Sequence, residues 1–224
     1  MSFEVMPTFA VPLAQDFLPD AAALNARIRT LLLSREAQGK RYANPNPSLV
    51  QQAGVFESDF NLFSWPEECI QALRKFCWTT LGRTLAELNN YSPEDMQRLQ
   101  IFSHTWFHVT RHGGFTILHT HPMASWSGVY CVDPGQTPED RPESGVLRFH
   151  NPHHYSNYFL DAGNQNLKPP YSHGTWNVRL SPGELVLFPS WLQHEVMPFY
   201  GNDERITVAF NCWFGMKDAA AVRA

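Results

Sequence analysis

Ten histidines occur in this 224-residue chain, none of them in the first hundred residues, and nine fall between His104 and His173. Two of them, His119 and His121, stand one residue apart in GGFTILHTHPMASWSGVYCV (113–132), inside an otherwise apolar run. In a strand, side chains at i and i+2 share a face, so both imidazoles enter the same space. On an inward face they need hydrogen-bond partners or a metal ion. A third imidazole, His194, opens the next β-like run in SPGELVLFPSWLQHEV (181–196), after a Pro182-Gly183 turn. Two ligands from one strand and a third from a distant one build a three-ligand face, leaving the opposite coordination positions open for co-substrate and oxygen. Separately satisfied core or rim histidines are the alternative, and the joint pattern outweighs it. An all-imidazole face suits Fe(II), and equally Zn(II), Ni(II) or Cu(II).

Eleven residues after His194, Arg205 opens the run RITVAFNCWF, with Thr207 two positions on. A planar guanidinium binds a carboxylate through two parallel hydrogen bonds, and i, i+2 spacing directs the threonine to the same side. Alternatively, Arg205 caps a surface turn after GNDE and pairs with Asp203 or Glu204. The residues alone leave both readings open. Ser127 and Tyr130 in SWSGVYC could offer hydroxyls to a co-substrate, although a half-buried tyrosine usually packs with its hydroxyl satisfied. Trp106, His108, Asn211 and Trp213 lie on runs that could line a cavity, and His150, His153 and His154 in RFHNPHHYSNYF suggest a loop at its mouth.

The elements that must position these groups divide near residue 100. Before it the pattern is helical. LPDAAALNARIRTLLLSREAQ (18–38) has Asp20 as a candidate N-cap and Leu24, Ile28, Leu31 and Leu32 at helical spacing. Ser64 and Glu67 have capping-box spacing, with Pro66 between them, ahead of CIQALRKFCWTTLGRTLAEL. Ser92, Pro93 and Asp95 mark a short third helix, and 42–63 reads as irregular with one strand. From residue 101 the period becomes two. IFSHTWFHVTR, FTILH, SWSGVYCV, SGVLRFH, GTWNVRL, GELVLFP, HEVMPF and RITVAFNCWF are short runs bounded by Gly, Pro, Asp or Asn. The expected architecture is mainly β with N-terminal helices: one domain over 1–224, in which a mainly helical part (1–100) packs on a jelly roll, the double-stranded β-helix, over 101–214.

Bulk properties exclude several classes. A net charge of −4 and a pI near 6.2 give no basic face for nucleic acid. Glu4, Pro7 and Pro12 are unlike a signal peptide, and no apolar run approaches a membrane span. The four cysteines, Cys69, Cys77, Cys131 and Cys212, form no CxxC pair, so neither a disulfide framework nor a zinc ribbon is indicated, and a cytoplasmic setting is expected. No G-x-S-x-G elbow or phosphate-binding glycine loop is present.

The segments HTHP, SGVYCV, PGELVLFPSWLQHEVMPF and RITVAFNCWF, in that order, resemble the Fe(II)/2-oxoglutarate-dependent dioxygenase superfamily, most closely a bacterial family of 2OG-Fe(II) oxygenases and more distantly the prolyl hydroxylases. The resemblance covers roughly residues 101–214. It implies a double-stranded β-helix, Fe(II) held by His119, His121 and His194, and 2-oxoglutarate as co-substrate with its distal carboxylate on Arg205 and Thr207. Ser127, Tyr130 and Asn211 are further candidates to line the co-substrate site. His121 departs from the superfamily's H-x-(D/E)…H triad, where a carboxylate stands at that position. Such an enzyme would hydroxylate a small-molecule or peptidyl substrate, with no nucleic acid or membrane involved, and could be a homodimer. A cupin would use the same three histidines without Arg205, but it lacks its glutamate here, Ser125 and Trp126 occupying that stretch. A non-catalytic metal-binding module is the remaining alternative.

Overall fold

β-branched and aromatic residues are more frequent from residue 99 onward than before it, and their alternation resolves into strands. The computed structural model describes residues 3–47, 52–153 and 159–217. In chain order the elements are β1 (Ala14–Phe17), α1 (Ala21–Glu36), β2 (Gln52–Glu57), α2 (Glu68–Leu88), α3 (Pro93–Arg98), β3 (Leu99–His119), β4 (Trp126–Asp133), β5 (Leu147–His150), β6 (Thr175–Val178), β7 (Glu184–Pro189), β8 (His194–Val196) and β9 (Arg205–Met216). The strands are ordered β1-β7-β4-β9-β3-β8-β5-β6, with β2 also paired to β3, and every pairing is antiparallel. This curled sheet is the expected double-stranded β-helix.

Strand β3 joins the two halves. Its first part pairs with β9 from Leu99 opposite Met216 to Thr110 opposite Arg205, and its last part pairs with β8, where His119 faces His194. The two runs expected as separate strands are therefore one strand with a bend. Gly113 has φ 79°, and Gly114 lies against Gly54, where an added Cβ would overlap the Gly54 carbonyl oxygen. Glycine at both points lets the strand turn while β2 stays paired on either side of it.

Alternation along each strand separates two cores. Phe107, Val109, Tyr130, Val132, Leu185, Leu187, Ile206, Val208 and Phe210 face the helices. Cys131, Leu147, Phe149, Val186, Phe188 and Leu192 face the interior between the sheet halves. Strand β7 is buried at every position because both of its faces are covered. The helices present Ile28 and Leu32 of α1, and Ile70, Leu73, Cys77 and Leu81 of α2, to the first core.

The caps differ from the sequence pattern. Helix α2 starts at Glu68 with no side-chain cap; the Ser64 hydroxyl donates to the Asn61 carbonyl instead. Asp20 does precede α1, but in the left-handed region and without a capping bond. The complete capping box is Ser92 with Asp95 at α3. A buried Leu or Ile contributes roughly 1.5–3 kcal/mol against about 1 kcal/mol for a cap, so the apolar stripes, rather than their ends, hold α1 and α2 in place. The one strand expected within 42–63 is β2, which flanks β3, and beyond the expected strands β1 extends the sheet beside β7. Among the described residues no helix is long and apolar enough to cross a membrane.

Replacing Gly114 by alanine sets a methyl group against backbone that cannot move aside. The Gly114→Ala protein is expected to lose about 1–3 kcal/mol of stability in urea unfolding. An unchanged midpoint would show that the bend does not need this glycine.

Candidate metal and co-substrate site

The pairing of β3 with β8 brings the three expected imidazoles together. Ring centroids lie 4.9 Å apart for His119 and His121, 4.2 Å for His119 and His194, and 5.1 Å for His121 and His194. One potential ligand atom from each falls within 4.8 Å of the others, and no other such cluster of His, Cys, Asp or Glu occurs among the described residues. His119 Nδ1 donates to the Ile117 carbonyl at 2.7 Å, and His194 Nδ1 donates to the Leu192 carbonyl at 2.8 Å. Each bond places the ring proton on Nδ1 and leaves the Nε2 lone pair for a metal ion.

Burial keeps these rings neutral, as ligands must be. It is the largest influence on all three: the pKa of His194 is lowered from 6.5 to about 3 with repulsion from His119 and His121 assisting, that of His121 to about 4 with His119 and His108 assisting, and that of His119 in the same direction with His108 assisting. The backbone around His121 is fixed separately. Its N–H donates to the Ser190 carbonyl at 2.8 Å; the Ser127 hydroxyl, 2.8 Å from that of Ser190, donates to Asn211 Oδ1 at 2.7 Å. Ser127 and Asn211 thus brace the segment carrying His121.

Arg205 lies on the inner face of β9, with Thr207 two residues on, and both are buried. Neither acid expected as its partner pairs with it. Asp203 accepts from the Gln136 N–H, and Glu204 pairs with Arg29 at 2.8 Å and with Arg111 at 3.6 Å. Arg205 Nη2 is buried without a hydrogen-bond partner among the described residues. Burial lowers the pKa of the guanidinium, yet arginine remains protonated in proteins. An isolated buried cation is costly, so the arrangement calls for an anion. A carboxylate able to accept two bonds matches the guanidinium.

Tyr130 is the clear correction. It follows Ser127 by an odd number of positions and therefore faces the helices, where its hydroxyl donates to Asn25 Oδ1 at 2.6 Å. Burial pushes that phenol well above its ordinary range. His150 ends β5, with Nε2 3.0 Å from Glu195 Oε1, rather than standing in a free loop; His153 is on the following loop, and His154 lies outside the described residues. His108 and Trp106 do line the inner face. His108 Nε2 lies 3.0 Å from Glu57 Oε2 and 3.1 Å from Trp106 Nε1. Burial alone would raise the Glu57 carboxyl, but His108, Asn44 and Gln52 outweigh it and hold it below its ordinary value. Nothing local in FESD marks Glu57 as part of this wall; its place depends on the β2–β3 pairing.

Residues 104–211 match the model of a family described as "Putative 2OG-Fe(II) oxygenase". No curated protein matches the chain by sequence. Among solved structures, a prolyl-4-hydroxylase from Pseudomonas putida superposes with a TM-score of 0.58 at 20% identity, over 92% of this chain and 94% of that one. A Trichoplax adhaerens prolyl hydroxylase, in complex with a hypoxia inducible factor peptide fragment, gives 0.57 at 15%, over 97% and 88%. HygX from Streptomyces hygroscopicus, with nickel, 2-oxoglutarate and hygromycin B bound, gives 0.55 at 12%, over 91% and 83%. At such identities these likenesses are of fold.

Two expectations follow from the geometry. Tyr130→Phe should cost about 1 kcal/mol of stability in denaturant unfolding, by removing the bond to Asn25, and leave 2-oxoglutarate affinity unchanged in calorimetry. The histidines set a pH dependence. They are neutral in the folded metal-free chain, but in the unfolded chain they take up protons below 6.5. Their contribution is thus present in full above 6.5 and is lost as pH falls through the window towards about 4 and then about 3. The metal-free thermal midpoint should fall across that window, and less steeply in His121→Asn; identical profiles would contradict it.

Proposed function

We propose that the chain is a member of the Fe(II)/2-oxoglutarate-dependent oxygenase superfamily, one of whose family models it matches over residues 104–211, and that His119, His121 and His194 hold Fe(II) while Arg205 and Thr207 anchor 2-oxoglutarate. The observation that carries this reading is the buried Arg205 guanidinium, whose Nη2 has no protein partner. A cupin-type enzyme or a simple metal-binding module gives no reason for a desolvated cation on the interior face. The donor set fits the metal as well, since two of the rings present Nε2 and all three are neutral.

With iron and co-substrate bound, such a site supplies the coupled reaction in which 2-oxoglutarate and O2 give succinate and CO2 while a substrate C–H becomes C–OH. The protein's own contribution is positioning. Arg205 and Thr207 fix the far carboxylate of the co-substrate, so its keto-acid end is directed toward the three imidazoles. Phe149 and Phe188, at 6.1 and 4.7 Å from the His194 ring, exclude water from that side. The Ser127–Asn211 and Ser127–Ser190 contacts keep the His121 segment from shifting. Imidazole in place of a carboxylate leaves the metal with one less negative charge, which weakens retention of Fe(II) without removing any coordination position. The primary substrate is a small molecule or a peptidyl side chain.

Anaerobic titration tests the assignment. Fe(II) and 2-oxoglutarate together should produce a weak visible charge-transfer band, and 2-oxoglutarate should raise the thermal midpoint of the Fe(II)-loaded chain. Arg205→Ala should weaken 2-oxoglutarate roughly 30- to 100-fold, about 2–3 kcal/mol, with metal binding retained. Retained metal with no band and no 2-oxoglutarate effect in the unaltered chain would favour a cupin-like or binding role instead.

A further inference from the structure

Strands β3 and β9 continue past the histidine face. Beyond Trp106 opposite Ala209, the pair runs through His104 opposite Asn211 to Phe102 opposite Trp213. One face of this overhang is supported, because Leu99, Ile101 and Phe214 pack on the helix-side core together with Met96 of α3. The other face is a strip of rings in unbroken contact with a histidine of the site. Trp106 lies 6.2 Å from His121; Phe60 meets Trp106 edge-on at 5.3 Å and stacks on His104 at 5.7 Å; Trp213 meets His104 at 5.0 Å and stacks on Phe102 at 6.4 Å. The outer rings are open to solvent, with Phe60 40% and Phe102 45% exposed.

Contiguous exposed apolar surface of this kind marks a binding site more often than an inert surface. Its continuity with His121 links it to the metal face. Its length is informative too: from Phe102 to Trp106 the strand rises roughly 13 Å, which leaves room for one or two fused rings. Its chemistry selects against formal charge. The strip's own titratable member is the His104 imidazole, and the carboxylate on the adjoining wall, Glu57, is already committed to His108 and to Asn44 at 2.6 Å. A charged group laid here would lose water and gain no counter-charge, whereas an aromatic face gains offset and edge contacts.

We propose that Phe60, His104, Phe102 and Trp213 form the substrate shelf of the metal site, and that its substrate is a small molecule bearing a neutral aromatic ring. Stacked on the shelf, the ring carries an adjacent C–H bond toward the face of His119, His121 and His194. This assignment rests on the oxygenase reading for its chemistry, but binding to the shelf is measurable without it.

The test uses the full chain with 2-naphthol and indole as probes, cyclohexanol as the saturated control and a tryptophan-containing pentapeptide as the peptidyl control. Calorimetry should show both aromatic probes binding and cyclohexanol not, with dissociation constants about tenfold weaker in Trp213→Ala and in Phe102→Ala. Phe102 is nearly half exposed, so its variant should fold even if Trp213→Ala does not. In the Co(II)- and 2-oxoglutarate-loaded chain, 2-naphthol should alter the visible Co(II) spectrum, and the change should be lost in Phe102→Ala. Equal binding of cyclohexanol, unaltered affinity in both variants, or tighter binding of the pentapeptide than of indole would overturn the proposal. Ring binding is also measured in Arg205→Ala. There it persists if the shelf is correct, whatever becomes of the co-substrate assignment, so the two readings can fail separately.

Discussion

Pairing of β3 first with β9 and then with β8 is the constraint on which the rest of the structure depends. One strand serves both halves of the curled sheet, and its bend at Gly113 and Gly114 decides that His119 meets His194. Move the bend by one residue and the period of two turns His119 out of the interior. Twelve paired positions with β9 make such a slip costly, because it would turn the apolar side chains among them from a covered face to the opposite one.

The same alternation allots chemistry to one face and stability to the other. On β9, Ile206, Val208, Phe210 and Cys212 bind the sheet to α1 and α2, while Arg205, Thr207 and Asn211 look inward. The helices contribute nothing to the site directly. They cover the outer face, so that the inner one can hold three neutral imidazoles and a desolvated guanidinium. Such a face opposes folding through the cost of burying polar groups, and the apolar packing on the far side offsets it. The ion pairs from Arg29 to Asp133 and Glu204 are partly exposed and individually modest, and they tie α1 to the helix-side face of the sheet, away from Arg205.

Much of this was legible in residue types and spacing. The change of period near residue 100, the HxH pair, the distal histidine and the R-x-T start of the last strand all follow from local rules, and the structure brings those residues to one interior. The failures were also local. Ser64 and Glu67 have the spacing of a capping box but no capping geometry, because tertiary packing starts α2 one residue after Glu67. Tyr130 looked like a hydroxyl donor, yet its parity along β4 sends it to Asn25. Ser127, on the inner face, bonds to Asn211 and Ser190, partners that no local pattern announced. Glu57 and Phe60 carried no signal, since they reach the site only through the pairing of β2 with the first part of β3.

What the sequence determined by itself, then, was which side chains share a face, because the two-residue period of a strand is a property of the local backbone. Which face is inside, and what each group meets there, was decided by tertiary structure. The approach of His194 to His119, the commitment of Glu204 to Arg29 and Arg111, and the burial of Arg205 without a partner for its Nη2 all depend on contacts between segments distant in the chain. Those contacts are selected by burial of the whole sheet, a quantity to which no short stretch of residues has access.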